Sequence, residues 1–293
     1  SESIKFKEKV GYAFGDFASS LFWKLFSMFL MIFYTDVVEL SPASVGTMLL
    51  IVRLWDSFVD PLVGIVADRT NTKWGKFRPY LLWTAVPFGI AGMLTFTSPS
   101  FGPSGKLVYA YLTYTLMMMI YSCINVPYAS MMGVMTNKPE ERTSLASFRF
   151  IGAYGGGIFM TATVPYLLDF FKGIGSSDAI SYQYTVSIYA VVAAFFFIMT
   201  FLWTKERVKP LIEPTSIKSD LKDLAKNAQW FIMLGAGVSV LIFNSLRDGS
   251  IIYYFKYYIK DQTLPMFGEV KWDKLAGAYM TVWLVTNMLG VLF

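Results

Sequence analysis

A series of long apolar segments most constrains how this chain can fold. Each has roughly 20 residues or more, the length that an α-helix needs to cross the hydrocarbon core of a bilayer. We place eight of them, at about 11–37, 43–67, 79–98, 106–133, 145–170, 182–203, 229–258 and 275–293. Because a backbone inside a membrane must satisfy its own hydrogen bonds, we predict an all-α membrane protein with eight transmembrane helices.

The composition supports this class and excludes several others. Only 15% of the residues are charged, against about 25% in soluble domains. The chain has no histidine and one cysteine, Cys123. This excludes histidine-based zinc sites, Ser–His–Asp triads and an internal disulfide, and we expect no enzyme activity. The net charge of +5 does not indicate nucleic-acid binding, because the basic residues are scattered over short loops.

The basic residues between the segments predict the orientation. Fifteen flank one side of the segments, within 5–9, 69–78, 138–142 and 205–226, and six flank the other side. Cytoplasmic loops carry the excess of Lys and Arg in multi-pass proteins. We therefore expect a protein of the bacterial inner membrane with its amino terminus in the cytoplasm.

One long polar connection divides the chain. It runs from Lys205 to Asn227 and separates six apolar segments from two. Six spans, a charged linker and a new series of spans form the plan of the major facilitator fold. We predict an amino-terminal six-helix bundle at 1–204, a cytoplasmic linker at 205–227 and the start of a carboxy-terminal bundle at 228–293. The two halves of that fold have six helices each, so we expect eight helices of a total of twelve. Because Phe293 lies within an apolar segment, we expect the chain to be incomplete.

Three charges lie inside the second apolar segment. They are Arg53, Asp56 and Asp60, and the spacing places the two aspartates one helical turn apart on one face. A charge near the bilayer centre costs at least ~2.5–3.5 kcal/mol. Two carboxylates this close repel each other unless a proton or a metal ion lies between them. Hard oxygen ligands suit a small cation, so the pair predicts a site for the cation of a cation-coupled transporter.

Other polar residues lie at membrane depth in further segments. They are Asp16, Ser20 and Lys24 in the first, Ser122 and Asn125 in the fourth, Arg149 in the fifth, and Asn244, Arg247 and Asp248 in the seventh. Structural roles stay open as alternatives for three of them. Lys24 could extend to the membrane interface, Asp16 could lie at that interface, and Arg149 could form a structural ion pair with an acid. Asp16, Arg247 and Asp248 are assigned no role.

A short basic loop follows the second segment. It contains Asp68, Arg69 and Arg78, and we predict that it latches the cytoplasmic side. We expect Arg53 to hold the acidic pair together when no cation is bound.

The aromatic and glycine residues have simpler interpretations. Trp23 and Tyr128 neighbour the polar faces, so we expect them to stack on a sugar ring. The run GAYGGG at 152–157 lies inside an apolar segment with no strand before it. We therefore predict close helix packing there rather than a nucleotide-binding loop.

Four motifs resemble one family. FYTDVV at 33–38, RLWDSFVDP at 53–61, DRTNTKWGKFRP at 68–79 and YSCINVPYASM at 121–131 together resemble the glycoside–pentoside–hexuronide:cation symporters, the melibiose permease group. The likeness covers the first six segments and continues more loosely into the seventh. It implies a twelve-span sugar symporter without a cofactor, working by alternating access and driven by Na⁺ or H⁺, with Li⁺ as a further candidate.

The resemblance also implies site residues. Asp56 and Asp60 match the cation-site aspartates of the family, and Ser122 stands at a hydroxyl ligand. Arg149 matches a sugar-binding arginine, whereas Ser20 and Asn125 stand where melibiose permease has sugar-binding aspartates. The predicted substrate-binding set is Ser20, Trp23, Lys24, Asn125, Tyr128 and Arg149. With two acids lost the cavity is less negative, so our hypothesis is an acidic sugar or glycoside such as a hexuronide.

Two other functions remain as alternatives. One is a proton-coupled exporter of the same superfamily, which the RxxDxxxDP pattern does not suggest. The other is a sugar sensor on this scaffold, which would bind sugar without accumulating it. We expect a monomer whose partners are the sugar, the cation and the lipid bilayer.

Overall fold

The computed structural model describes residues 3–208, 225–265 and 268–292. The helices in these ranges are α1 (Phe6–Leu25), α2 (Pro42–Arg69), α3 (Arg78–Thr95), α4 (Pro103–Met135), α5 (Pro139–Gly173), α6 (Asp178–Trp203), α7 (Ala228–Tyr253) and α8 (Trp272–Leu292). Two short strands, β1 (Gln262–Leu264) and β2 (Gly268–Val270), pair antiparallel between α7 and α8. The predicted helical class is confirmed, and the hairpin is an addition to it.

Four of these helical segments are long and apolar enough to cross a membrane by length and composition. They are Pro103–Met135, Pro139–Gly173, Asp178–Trp203 and Ala228–Ile259. The helix α2 carries Arg53, Asp56 and Asp60 within its apolar run, which lowers its mean hydropathy. The structure thus supports a multi-pass membrane protein, while the count of eight spans stays a prediction.

Helix bounds differ from the predicted segments mainly at the amino-terminal ends. The helix α5 begins at Pro139, six residues before the predicted start at 145. A proline suits the first turn of a helix, and Glu140 and Glu141 in that turn interact favourably with the helix dipole. The hydrophobic pattern alone marks the apolar part of a helix and not its polar first turn.

The ends of α1 and α7 both continue as π-helical turns. These turns are Phe26–Leu30 and Phe33–Val37 after α1, and Tyr254–Ile259 after α7. The carboxylate of Asp36 accepts hydrogen bonds from Lys256 and Tyr257. The Thr35 hydroxyl lies 3.2 Å from the Tyr253 hydroxyl. Polar contacts therefore join the last turns of the first and seventh helical segments.

Glycines bring α1 against α5. A Cβ atom placed on Gly152 would lie 2.1 Å from the carbonyl oxygen of Ala13, and one on Gly156 would lie 2.4 Å from that of Phe17. Atoms do not approach this closely, so only glycine permits the contact at these two positions. The structure thus confirms the packing interpretation of this glycine run.

Aromatic packing holds α1 on its other side. The ring of Phe22 meets Phe88 of α3 edge-on, with 4.9 Å between centroids, and Phe88 meets Phe197 of α6 at 5.2 Å. All three rings are buried. The apolar face of α1 is buried against α3 and α6, and polar residues of α1 contact α4, α5 and α7, where the candidate site lies.

The predicted division into 1–204, 205–227 and 228–293 stays a prediction. Residues 209–224 of the linker lie outside the described residues. The described part before them is tied to the first bundle, because the backbone N–H groups of Arg207 and Val208 donate to the carbonyl of Val134.

Candidate functional site

The acidic pair of α2 meets α4. Ser122 Oγ donates a hydrogen bond of 2.8 Å to Asp56 Oδ1, and the Ser122 side chain is buried. Asp60 lies one turn further along the same continuous helix, on the same face as Asp56. Both aspartates are half-buried. The Asp56 carboxylate and the Ser122 hydroxyl, 66 residues apart in sequence, thus meet, and Asp60 lies one turn from them on α2.

Each of these two helices has a proline directly after this region. Pro61 lies inside α2 and Pro127 inside α4. Proline has no N–H to donate to the carbonyl four residues earlier. The carbonyls of Ser57 and Cys123 therefore lack that donor, and these residues directly follow Asp56 and Ser122 in sequence.

Arg53 lies beside the acidic pair and contacts the first helix. Its guanidinium lies 4.5 Å from the centroid of the Trp23 ring, a cation–π contact. It is also close enough to act electrostatically on Asp56. Arg53, Asp56 and Asp60 together carry one net negative charge. A role of Trp23 in stacking on a sugar stays a prediction, since one partner of its ring is already Arg53.

Arg149 of α5 forms an ion pair with Asp16 of α1. Arg149 Nε donates to Asp16 Oδ2 at 2.6 Å, and the two side chains are 28% and 16% exposed. The guanidinium also lies 5.1 Å from the ring centroid of Tyr128 and 5.7 Å from that of Tyr12. The structure favours the pairing alternative for Arg149. The pair carries no net charge.

Replacing Asp16 tests how much the ion pair with Arg149 contributes to the stability of the protein. We expect Asp16→Asn to lower the stability of the full-length protein by about 1–3 kcal/mol, because Arg149 loses its charged partner in a partly desolvated place. Thermal unfolding of the purified protein in detergent would measure this loss. The double variant Asp16→Asn with Arg149→Gln should recover part of it, since no unpaired charge remains. Additive losses in the double variant would contradict the pair as an energetic unit.

Lys24 pairs with Asp248 of α7, which also pairs with its neighbour Arg247; neither α7 residue had an assigned role. Lys24 Nζ donates to Asp248 Oδ2 at 2.6 Å, and Arg247 donates to Asp248 Oδ1 through Nη2 at 2.6 Å and Nε at 3.1 Å. Trp283 of α8 lies against both cations. We call Lys24, Arg247, Asp248 and Trp283 the α1–α7–α8 cluster. It carries one net positive charge, and the Lys24 ammonium is paired with Asp248.

Three predicted sugar residues have different surroundings. Asn125 accepts a hydrogen bond of 2.8 Å from Ser19 Oγ. Ser20 is half-buried and makes no side-chain hydrogen bond within the described residues. Tyr128 is 1% exposed and its hydroxyl donates to the carbonyl of Tyr12 at 2.6 Å. Tyr128 is therefore fully packed in this conformation, and its contact with substrate stays a prediction.

The basic segment that joins α2 and α3 packs on the end of α6. Asp68 and Arg69, predicted to lie in the loop, are the last residues of α2, and Arg78 is the first residue of α3. Arg78 donates to the carbonyl of Phe201 at 2.6 Å, and its guanidinium lies 4.8 Å from the Phe201 ring. Asp68 pairs with Lys76 at 2.9 Å. Arg69 is exposed and has no side-chain hydrogen bond within the described ranges. The latch role of Asp68, Arg69 and Arg78 stays a prediction.

Glu206 is a structural residue of this loop that sequence reasoning missed. Its carboxylate accepts hydrogen bonds from the backbone N–H groups of Lys76, Phe77 and Arg78, at 2.7–2.8 Å. These groups lie at the amino-terminal end of α3, where a negative charge is favourable. No motif marks Glu206 in the sequence, because its partners are backbone groups about 130 residues earlier.

Comparisons with known proteins place the chain in a family. The family described as MFS/sugar transport protein matches residues 11–272. The Inner membrane symporter YicJ of Escherichia coli K12 is 35% identical over 99% of this chain and 60% of its own length. The Putative glycoside/cation symporter YagG of the same organism is 36% identical, over 94% of this chain and 62% of its own length.

A third relative comes from another organism. The Isoprimeverose transporter of Lactiplantibacillus pentosus is 38% identical, over 90% of this chain and 56% of its own length. The chain thus spans about three fifths of the length of these curated relatives. The chain therefore belongs to the MFS/sugar transport protein family of multi-pass membrane transporters, and within it to the glycoside–pentoside–hexuronide:cation symporters that its motifs resemble.

Proposed function

We propose that the full protein imports a glycoside or hexuronide together with Na⁺ or H⁺ across the bacterial inner membrane. The single observation that carries the proposal is the contact between Asp56 and Ser122, with Asp60 one turn away. The scaffold is a twelve-helix major facilitator fold, of which this chain supplies eight helices. Its amino terminus faces the cytoplasm, in agreement with the distribution of basic loops.

The acidic region is the site of the coupling cation. Its oxygen donors are the carboxylates of Asp56 and Asp60 and the hydroxyl of Ser122, which suit a hard cation such as Na⁺ or Li⁺. A proton shared by the two carboxylates meets the same electrostatic need. Either ion cancels the net negative charge of Arg53, Asp56 and Asp60. Closing the cavity then costs less free energy, because less net charge is enclosed. Cation and sugar therefore favour the same closed state, and each increases the affinity for the other.

The sugar site lies between α1, α4 and α5. Its proposed residues are Ser20, Trp23, Lys24, Asn125, Tyr128 and Arg149. Two contacts of the polar face of α1 support this location. Ser19 donates a hydrogen bond to Asn125 of α4, and Asp16 pairs with Arg149 of α5. Hydroxyl, amide and guanidinium groups are the partners that sugar hydroxyls need.

Contacts between the two predicted bundles support alternating access. Asp36, after α1, binds Lys256 after α7, and Asp169 of α5 binds Lys271 and Lys274 near α8. With the amino terminus in the cytoplasm, the ends of α1, α5 and α7 lie on the periplasmic side. The structure then corresponds to a state whose periplasmic side is held closed by ion pairs.

Transport in proteoliposomes tests the proposal. Full-length protein would be assayed with labelled neutral and acidic sugars under a Na⁺ gradient, a proton gradient and no gradient. We expect a sugar to accumulate under at least one gradient and to stop accumulating when an ionophore collapses it. Uptake that is indifferent to both gradients would mean that the acidic pair is structural and that symport is wrong.

A further inference from the structure

The α1–α7–α8 cluster holds two cations around one carboxylate. The side chains of Lys24, Arg247 and Asp248 are only 14%, 13% and 4% exposed. Asp248 offsets one of the two positive charges, and the second stays uncompensated within the cluster. In a poorly solvated place such a charge attracts an anion more strongly than it would in water.

Arg247 also has one nitrogen whose hydrogens no described residue accepts. Its Nε and Nη2 bind Asp248, whereas Nη1 is buried and has no hydrogen-bond partner within the described residues. Lys24 Nζ carries three hydrogens, of which one points to Asp248. A buried donor without an acceptor costs free energy, and an acceptor supplied by a ligand would remove that cost.

A cavity lies next to Trp283, the residue that contacts both cations. Trp283 lies with its ring centroid 3.4 Å from the guanidinium carbon of Arg247 and 5.5 Å from Lys24 Nζ. The same tryptophan lines an open cavity of about 810 Å³, together with Tyr154, Tyr279, Thr286 and Asn287. This volume falls in the range of small-molecule sites, and its aromatic, hydroxyl and amide lining suits a sugar ring.

The other charged groups at membrane depth do not offer the same attraction. Arg149 is neutralised by Asp16. Arg53 stands beside two carboxylates, Asp56 and Asp60, whose combined charge exceeds its own. Of these three charged groups, the α1–α7–α8 cluster is the one that favours an anion.

We infer that Lys24 and Arg247 form a binding subsite for an anionic group, such as a carboxylate, carried by the transported sugar. The inference rests on the proposed function and identifies its substrate class. Asp248 is a positioning residue, because it holds the two cations side by side. Trp283 supplies the adjacent wall on which the uncharged part of the substrate packs.

The subsite spans both predicted bundles. Lys24 comes from α1, and Arg247 comes from α7. An anion that binds both cations is therefore held only while the two helices stay close. The acidic sugar binds more tightly when α1 and α7 are close than when they are apart. Its binding therefore stabilises the close arrangement by that difference in binding free energy.

The test compares two sugars that differ in one group. Uptake of methyl β-D-glucuronide and of methyl β-D-glucoside by full-length protein in proteoliposomes would be measured for wild type, Arg247→Gln and Arg247→Lys. We expect Arg247→Gln to raise the half-saturation concentration of the glucuronide about tenfold or more and that of the glucoside about twofold or less. Arg247→Lys should restore part of the loss, because it returns the charge without the planar fork.

A matched control removes one charge elsewhere. Lys205 is exposed on the segment after α6, and Lys205→Gln should alter neither uptake. The inference is overturned if Arg247→Gln affects both sugars equally. It is also overturned if wild type shows no preference for the acidic member of this pair or of the corresponding galactoside pair.

A second measurement separates the inference from the proposed function. If wild type accumulates no sugar under any gradient, symport fails, and calorimetric titration of purified full-length protein with methyl β-D-glucuronide decides the subsite. Binding that disappears in Arg247→Gln and persists in Lys205→Gln supports it. Failure of wild type to bind the glucuronide or the galacturonide overturns it.

Discussion

Asp56→Asn is expected to abolish cation-driven accumulation of sugar by the full-length protein. The asparagine amide has almost the same shape but cannot carry the negative charge that attracts a cation or accepts a proton. It leaves Asp60 as the one carboxylate of the pair and changes the acceptor that Ser122 binds at 2.8 Å. We expect the initial rate under a gradient to fall about 100-fold or more, which corresponds to about 2.7 kcal/mol.

Equilibrium exchange of sugar distinguishes lost coupling from lost folding. Asp56→Asn should keep measurable exchange of sugar between equal concentrations without a gradient, because the sugar residues are unchanged. Glu140→Gln is the control: it removes an exposed carboxylate from the first turn of α5 and should transport like wild type. If Asp56→Asn still accumulates sugar under a gradient, the acidic pair is not the cation site.

Gly152→Ala is expected to be among the most destabilising single changes in this chain. The added methyl group would lie 2.1 Å from the carbonyl oxygen of Ala13, a backbone atom that moves only if α1 and α5 separate. Overpacking of this kind costs about 3 kcal/mol at the upper end of the usual range. We expect the Tm of the purified full-length protein in detergent to fall by about 3 °C or more.

The same helix offers a matched control. A Cβ on Gly155 would have its nearest neighbour at 3.7 Å, in the ring of Phe17, which is an ordinary contact. Gly155→Ala adds the same methyl group three residues away and should leave the Tm unchanged or slightly raised, since alanine favours helix more than glycine. Equal Tm values for the two variants would show that α1 and α5 do not pack as closely as described.

The charges of the three groups at membrane depth complement a cation and an anionic sugar. Arg53, Asp56 and Asp60 carry one net negative charge, Asp16 and Arg149 none, and Lys24, Arg247 and Asp248 one net positive charge. A coupling cation and a substrate anion would bring the first and third groups to neutrality. Under the proposed function, joint binding therefore reduces the cost of enclosing charge in a low-dielectric cavity.

Much of the fold could be predicted from the sequence because it depends on local patterns. Apolar runs of span length mark most of the helices, and the run at 152–157 marks a close helix contact. The spacing of Asp56 and Asp60 places both on one face of any helix that contains them. The family resemblance implies Ser122 as a cation ligand, and the structure brings its hydroxyl to 2.8 Å from Asp56, while the ligand role stays a prediction.

Sequence alone determined the class of the protein, its family and the acidic face of α2, because composition, helical period and motif are properties of neighbouring residues. The tertiary structure decided which distant charges meet. Asp16 pairs with Arg149 and Lys24 with Asp248 across separations of 133 and 224 residues. Spacing along one helix cannot predict such partners, because they depend on how α1 packs against α5 and α7. That packing gives Arg149, a predicted sugar-binding residue, an acidic partner in Asp16, and it leaves one uncompensated positive charge in the cluster of Lys24, Arg247 and Asp248.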